Sequence, residues 1–520
     1  MGGEPGMTRT KQAEGGPMVQ RQHQDVFLAV DLGASGGRVV AGLWNGQHLE
    51  LEEIHRFENG PIDAAGRLYW DLLRLWSEVQ VGMRRAAERF GNRVVSIGVD
   101  TWGVDFGLLD RDDRLLGNPV HYRDQRTVGT MPRVDLLVPR QDLFAQTGIQ
   151  FMELNTLYQL FAMRSAREAQ LETARSFLMI PDLFHWLLTG EKSNEQTNAT
   201  TTQCYNPTTR TWATDLLRRL EIPTEIFGPL SLPGTRLGGL RAEVRQATGL
   251  NTCQVILPGS HDTASAVMAV PAEEGRQDWC YLSSGTWSLM GVETDRPVLN
   301  ADCLRLNFTN EGGVGNTIRL LKNITGLWLV QQCRQSFARA GQSLGWDELV
   351  RLAECAPPLQ FLLNPEDASF VAPTDMPRAI AEYCVRTGQR PPSTPGEFIR
   401  GTLESLALRY RQVLGWLEEL LGRRLSTIHI VGGGSQNRLL CQMAADACQR
   451  EVIAGPIEAT ALGNLLTQAI ASGALASIGE ARRVVRASFP TQRYQPIARG
   501  AWDEAYERFE RLSRSPEDTL

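Results

Sequence analysis

The sequence predicts a mixed α/β protein made of two similar halves facing each other across a cleft. Three observations carry that prediction. Strand-sized apolar runs alternate with helical periodicities along most of the 520 residues. The chain opens with a strand, a tight small-residue turn and a second strand over residues 26–44, and it does so again over residues 279–292. Between the two, residues 271–278 are polar and read as a boundary. A cleft between two domains is a natural ligand site.

The elements follow in order. Residues 1–25 are polar, rich in Gly, Gln and charge, and lack the apolar core of a secretory signal. They read as a disordered tail, with Met7 and Met18 as alternative starts. Residues 26–31 form an apolar run ending in Asp31, followed by Gly33-Ala-Ser-Gly-Gly37 and a second strand to Trp44. Leu72, Trp76, Val79, Met83, Ala87 and Phe90 recur at helical spacing, so residues 71–90 read as an amphipathic helix. Residues 94–110 read as a second hairpin, 140–190 as helical, and 191–260 as loops with short elements. Residues 255–257 form a short strand that runs through Pro258-Gly-Ser-His-Asp262 into a helix from Thr263.

In the second half, residues 399–421 read as a helix with Leu403, Leu406, Tyr410, Leu414, Leu417 and Leu421 on one face. Residues 428–431 are a buried strand that enters Gly432-Gly-Gly-Ser-Gln-Asn437 and a helix to about Gln449. Residues 459–471 are a further helix. The expected division is a tail at 1–25, domains at 26–270 and 279–475, and a C-terminal extension at 476–520.

Composition narrows the function. There are 53 Lys and Arg against 59 Asp and Glu, with no long basic run, so neither nucleic acid nor an anionic membrane surface is the expected partner. No stretch reaches the ~18 uninterrupted apolar residues of a spanning helix. Nine Cys without a C-x-x-C pair read as buried, reduced thiols of a cytoplasmic protein; Cys441 and Cys448 share a helix face but not a metal spacing.

Five segments can carry chemistry. Asp31-Leu-Gly-Ala-Ser-Gly-Gly-Arg38 has the glycines for a nest of exposed N–H groups that binds an anion, and Asp31 can hold Mg²⁺ through water. The bland alternative is an ordinary hairpin turn. The same segment matches the Gly-x-Ser-x-Gly nucleophile elbow at Ser35, but that elbow needs a helix after the turn, and a strand-like run follows here. Neither a P-loop nor a dinucleotide fingerprint is present. Asp100-Thr-Trp-Gly-Val-Asp105 puts two acids and an indole on one turn, suited to a sugar face or to a solvated turn with one buried Trp. In Gly259-Ser-His-Asp262 the three side chains are adjacent, which argues against a triad. Asp262 reads either as a helix N-cap or as a general base. Ser283-Ser-Gly-Thr-Trp-Ser288 and Gly432–Gly434 offer small donors and close backbone approach for a nucleotide, or are plain turns.

Taken together, these segments resemble the FGGY family of carbohydrate kinases. Residues 29–35 with Arg38, 97–106, 121–127, 258–265, 283–288, 307–312, 321–324, 326–328 and 431–437 carry the resemblance, in order, over about residues 26–470. Gly36 departs from it, standing where a second Ser is expected. The resemblance implies two actin-like, ribonuclease-H-like domains and transfer of the γ-phosphate of ATP to a sugar hydroxyl. Within the family it is strongest to the branch acting on the 1-hydroxyl of L-rhamnulose, in L-rhamnose catabolism. It implies Asp262 as catalytic base and sugar contacts at Gly103, His261, Asp262, Thr263 and Asn323. It implies nucleotide contacts at Ala34, Ser35, Gly36, Gly37, Arg38, Thr286, Gln331 and Gly433. The expected cofactors are ATP and Mg²⁺, and the expected assembly is a monomer or small homo-oligomer. The alternatives are a kinase for another ketose or polyol and, from a different class, an actin-like filament or chaperone ATPase, which would have no use for Asp262 as a base.

Overall fold

The computed structural model describes residues 25–371 and 373–513. The expected tail lies outside them except for Asp25, which opens the first strand. Two sheets organise the chain. In the first, Asp25–Gly33, Gly36–Trp44 and Leu49–Glu58 run as an antiparallel meander. Val94–Thr101 then pairs parallel with the opening strand, Gln254–Ile256 pairs parallel with it in turn, and Arg236–Gly239 closes the edge antiparallel. The second sheet repeats this plan. Trp279–Ser284, Trp287–Thr294 and Ile318–Thr325 form the meander, extended by Thr309–Gly312. Thr427–Val431 and Glu451–Ala454 add in parallel, and Gln492–Tyr494 closes the edge.

The opening strand is a continuous apolar run because both of its faces are covered; Val26 to Val30 are fully buried. One face takes the helix Leu72–Phe90, which buries Leu72, Leu75, Val79, Met83 and Phe90. The Asp71 carboxylate caps its start by accepting from the Arg74 N–H at 3.1 Å. The other face meets two helices, Asp262–Met268 and Ala459–Ser472, each following the equivalent strand of its own half. They cross at Gly463, where a Cβ would lie 1.7 Å from the Ser265 carbonyl oxygen. The helix Ala459–Ser472 reaches into the first sheet: Gln468 Nε2 donates to the Leu28 carbonyl at 2.8 Å and Asn464 Nδ2 to the Gly98 carbonyl at 3.1 Å. An apolar core lies between the sheets, built from both halves, with Phe27, Ala29 and Val267 against Leu462, Leu465 and Tyr281.

Three expectations are corrected. The second hairpin is not one: Phe106–Leu109 pairs with Ser176–Met179, and Val94–Thr101 stays in the main sheet. That partner strand interrupts the stretch expected to be helical, which otherwise holds Arg140–Thr147, Thr156–Ala166, Ala169–Thr173 and Ile180–Thr189. The long helix of the second half is Pro395–Leu421, starting earlier than its apolar periodicity because Thr394 caps it and Pro395 suits its first position. Within the expected C-terminal extension, Gln492–Tyr494 completes the second sheet.

All nine cysteines are unpaired, and only Cys355 is exposed. Among the described residues, no helix is long and apolar enough to cross a membrane.

Candidate active site

Strand ends, hairpin turns and a helix start converge between the sheets on a cavity of about 300 Å³. Ala34 and Ser35 line it from the first hairpin and Ser284, Gly285 and Thr286 from the second. Gly103, His261, Asp262, Thr263, Asn323 and Gly433 complete the expected set that the cavity gathers. Five expected residues sit behind it. Gly36 and Gly37 belong to the second strand, and Gly37 is bare because a Cβ there would meet the Phe57 ring at 2.3 Å. Arg38 turns back to Asp31, donating from Nη2 to Oδ2 at 2.8 Å, and also pairs with Glu458. Gln331 lies one layer out, accepting from Thr286 Oγ1 at 3.2 Å. Asp31 keeps this place behind the turn, with Arg38 on one oxygen.

The turns are shaped by neighbours distant in sequence. Asn59 Nδ2 donates to the Gly33 carbonyl at 2.8 Å and braces the first turn. In the second half, Gly434 lies on Ser284 so closely that a Cβ would meet its Oγ at 2.0 Å. A Cβ on Gly433 would meet nothing within 4 Å, so that glycine borders open space.

On the opposite wall, Gly103 abuts Thr201, whose Oγ1 would be 2.9 Å from a Cβ. The next residue, Val104, holds φ +65°, a strained conformation for a β-branched residue. Three hydrogen bonds fix it: its N–H to Thr201 Oγ1 at 3.0 Å, and its carbonyl accepting from Thr156 Oγ1 at 2.6 Å and Gln159 Nε2 at 3.2 Å. Asn323 is tethered by Gln150, whose Oε1 accepts from the Asn323 N–H at 2.9 Å and from Nδ2 at 3.1 Å.

Asp262 opens the helix Asp262–Met268. Its Oδ1 accepts from the Thr263 N–H at 2.6 Å and from Thr263 Oγ1 at 3.2 Å. Among the described residues Oδ2 has no hydrogen-bond donor, and 33% of the side chain remains exposed, so the carboxylate is both oriented and reachable. Desolvation at the cavity floor pushes its pKa up, and the charge of Asp31 adds to that, against the lowering effect of His261 and Thr263. The loop before it is clamped by buried Glu195, which accepts from Ser260 N at 3.0 Å and Ser260 Oγ at 2.6 Å.

The solvated-turn reading of residues 100–105 is corrected, because Asp100 and Asp105 are both fully buried. Asp105 accepts from Trp70 Nε1 at 2.6 Å, Trp102 Nε1 at 3.1 Å, Gln159 Nε2 at 3.0 Å and Tyr122 N at 3.2 Å. It fixes Trp102 and Tyr122 where they line the cavity, and burial pushes its pKa to about 6. Asp100 pairs in register with Asp31 and accepts from Asn464 Nδ2 at 2.6 Å, while its Oδ1 has no partner. Burial and then the charge of Asp31 push it far above the usual carboxylate range.

Among the described residues, no three His, Cys, Asp or Glu side chains form a closed metal cage. Arg38 engages only Oδ2 of Asp31, so among the described residues its Oδ1 is left as an acceptor that fits a hydrated Mg²⁺, which binds through one or two carboxylates and retained waters; the orphaned Asp100 Oδ1 lies in register behind it.

Tyr122, Gln150, Thr201 and Glu311 also line the cavity and were not among the expected residues. Tyr122 and Glu311 had a signal, since they fall inside the segments 121–127 and 307–312 that carry the family resemblance.

Two duplicated sheets closing on one cleft define an actin-like, ribonuclease-H-like two-domain fold. Solved structures share it: a gluconate kinase from Lactobacillus acidophilus superposes with a TM-score of 0.76 at 17% identity, covering 95% of this chain and 97% of its own. A Plasmodium falciparum glycerol kinase with ADP does so with a TM-score of 0.73 at 14% identity, covering 96% and 98%. Residues 26–269 match the N-terminal domain and 280–472 the C-terminal domain of the FGGY family of carbohydrate kinases, and the chain belongs to that family. A rhamnulokinase from Bacteroides thetaiotaomicron is 44% identical over 488 residues, which is 94% of this chain and 99% of that protein. One from Halalkalibacterium halodurans is 44% identical over 467 residues, 90% and 98% of the two chains.

Proposed function

We propose that this protein transfers the γ-phosphate of ATP to the 1-hydroxyl of L-rhamnulose, giving L-rhamnulose 1-phosphate and ADP. Relatives that carry the rhamnulokinase name across nine-tenths of the chain support the substrate. The observation that carries the chemistry is the oriented, partly exposed Asp262 carboxylate on the cavity floor, opposite the two hairpin turns.

A sugar hydroxyl attacks phosphorus poorly until a positioned base accepts its proton. Asp262 Oδ2 takes that proton while Thr263 holds Oδ1. Gly103, His261, Thr263 and Asn323 bind the ketose on the same side. Ala34 and Ser35 in one turn and Thr286 and Gly433 in the other present backbone and hydroxyl donors to the phosphates. Phosphoryl transfer depends mainly on in-line placement and charge stabilisation, which donors fixed before the reaction supply without reorganising. Gly36 and Gly37 serve by shaping the first turn, Arg38 by holding Asp31, and Gln331 by orienting Thr286. Asp31, with Asp100 behind it, would hold Mg²⁺ through water, and the ion when bound neutralises phosphate charge. Residues 26–270 and 279–475 act as the two domains whose closure excludes water from the reaction.

The test is ADP release in a coupled assay over L-rhamnulose, L-fuculose, D- and L-xylulose, L-ribulose and glycerol. L-Rhamnulose should give the highest kcat/KM. A preference for another substrate reassigns the sugar, and no stimulation by any of them removes the kinase reading.

A further inference from the structure

His261 stands beside the base, and its backbone is held by the first half of the molecule. Its N–H donates to Thr197 Oγ1 at 3.2 Å, and a β-bridge ties it to Thr101. Its ring is held from elsewhere. Nδ1 lies 3.2 Å from Glu311 Oε2 and 3.0 Å from Arg319 Nη2, both on strands of the second sheet. The other ring nitrogen, Nε2, lies 3.4 Å from Asp262 Oδ1.

Glu311 and Arg319 face each other in register. Arg319 is fully buried and Glu311 is 4% exposed. Arg319 donates from Nε to the Gly312 carbonyl at 2.8 Å and from Nη2 to Glu311 Oε2 at 3.1 Å, so the pair is rigid. Burial raises the carboxyl of Glu311, but the bond from His261 and the charge of Arg319 outweigh it and hold the group ionised. Taking two charges out of water is costly, so stability alone is a weak reason for a buried pair here. At Nδ1 the ring meets a cation and an anion that are themselves fixed, so its plane is set and Nε2 is held toward Asp262 Oδ1.

We propose that Glu311, held by Arg319, is a positioning residue for phosphoryl transfer. It reaches from the second half into the first to fix the His261 ring, and through that ring the Asp262 carboxylate. The base is then fully oriented only when the two halves meet. This inference rests on Asp262 being the base, and it adds a residue that touches neither phosphate nor the transferred proton.

The test is a double-mutant cycle of Glu311→Gln and His261→Gln, with kcat and both KM values measured on L-rhamnulose and ATP. Glu311→Gln keeps the side-chain shape and removes the charge. It should lower kcat on the order of 10²-fold, the cost of misplacing a reacting group by about 1 Å, and leave KM for ATP unchanged. Acting through His261, it should cost nothing further once His261 is Gln, so the double variant should match His261→Gln alone. Multiplying losses, or an unchanged kcat in Glu311→Gln, would overturn the proposal. If Glu311→Gln yields no folded protein, Glu311→Asp keeps the charge but shortens the reach, and the same cycle decides. An inactive wild type refutes the kinase reading itself; an active wild type with multiplying losses refutes only this inference.

Discussion

Asp100 and Asp105 stand five residues apart on one short segment, and each is defined by partners it could not have revealed. Asp105 draws donors from Trp70, Tyr122 and Gln159, and Asp100 draws one from Asn464 in the other half. A local pattern of two acids and a glycine is equally a solvated turn, so the sequence could not decide between them. The place of Asp262 at a helix start was legible because strand, Gly and helix start follow one another directly. Gln150 was not, since its importance is its grip on Asn323 across 173 residues of chain. Gln150→Ala should leave that asparagine untethered, raising KM for L-rhamnulose about tenfold, as the loss of a buried partner costs ~1–3 kcal/mol. Steady-state kinetics check this, and an unchanged KM contradicts the tether. His121 is stacked between Trp70 at 4.1 Å and Tyr122 at 4.5 Å, and burial, with the charge of Arg123, depresses its pKa to about 3. The unfolded chain takes up a proton near pH 6.5 that the folded protein refuses until about 3, so this stability contribution is lost as pH falls through that window. His121→Phe keeps the stack without the titration. Urea unfolding at pH 7, 6 and 5 should show the wild type losing about 1.4 kcal/mol per pH unit relative to the variant below 6.5. A constant difference contradicts the buried, neutral imidazole.

At the scale of elements, the two opening hairpins were legible because each is local: two apolar strands and a small-residue turn within twenty residues or so. The pairing of the strand Phe106–Leu109 was not, because its partner Ser176–Met179 lies across an intervening stretch of helices. The helix Ala459–Ser472 was legible as a helix, but its seat on Asp262–Met268 was not. That crossing hangs on one missing side chain. Gly463→Ala puts a Cβ into contact with the Ser265 backbone, which cannot swing away as a side-chain tip can. The helices must separate, and the variant should lose ~1–3 kcal/mol of stability, the usual cost of overpacking. Because Ser265 lies three residues beyond Asp262, kcat should fall with it. Chemical denaturation with parallel assays checks this, and a variant as stable and active as the wild type contradicts the close crossing.

At the scale of the whole molecule, the two sheets share a core, and the cavity takes residues from both halves. Residues 476–513 belong to this architecture. The helix Ile478–Ser488 buries Ala481, Val484 and Val485, the helix Gly500–Ser513 buries Trp502 and Phe509, and Ser488 Oγ accepts from the Leu49 N–H at 3.1 Å in the first sheet. Truncation after residue 476 should therefore give insoluble or unfolded protein, and a soluble, active truncation contradicts their structural role. The account as a whole turns on Asp262 as the base for a sugar 1-hydroxyl. The most direct measurement is ³¹P NMR of the product from ATP and L-rhamnulose, run in parallel on wild type and Asp262→Asn, with ATP affinity measured on both. The prediction is L-rhamnulose 1-phosphate from the wild type, a loss of turnover of about 10² or more in the variant, and nearly unchanged ATP binding. A phosphorylated sugar formed at comparable rate by Asp262→Asn, or phosphate found on another hydroxyl, would contradict it.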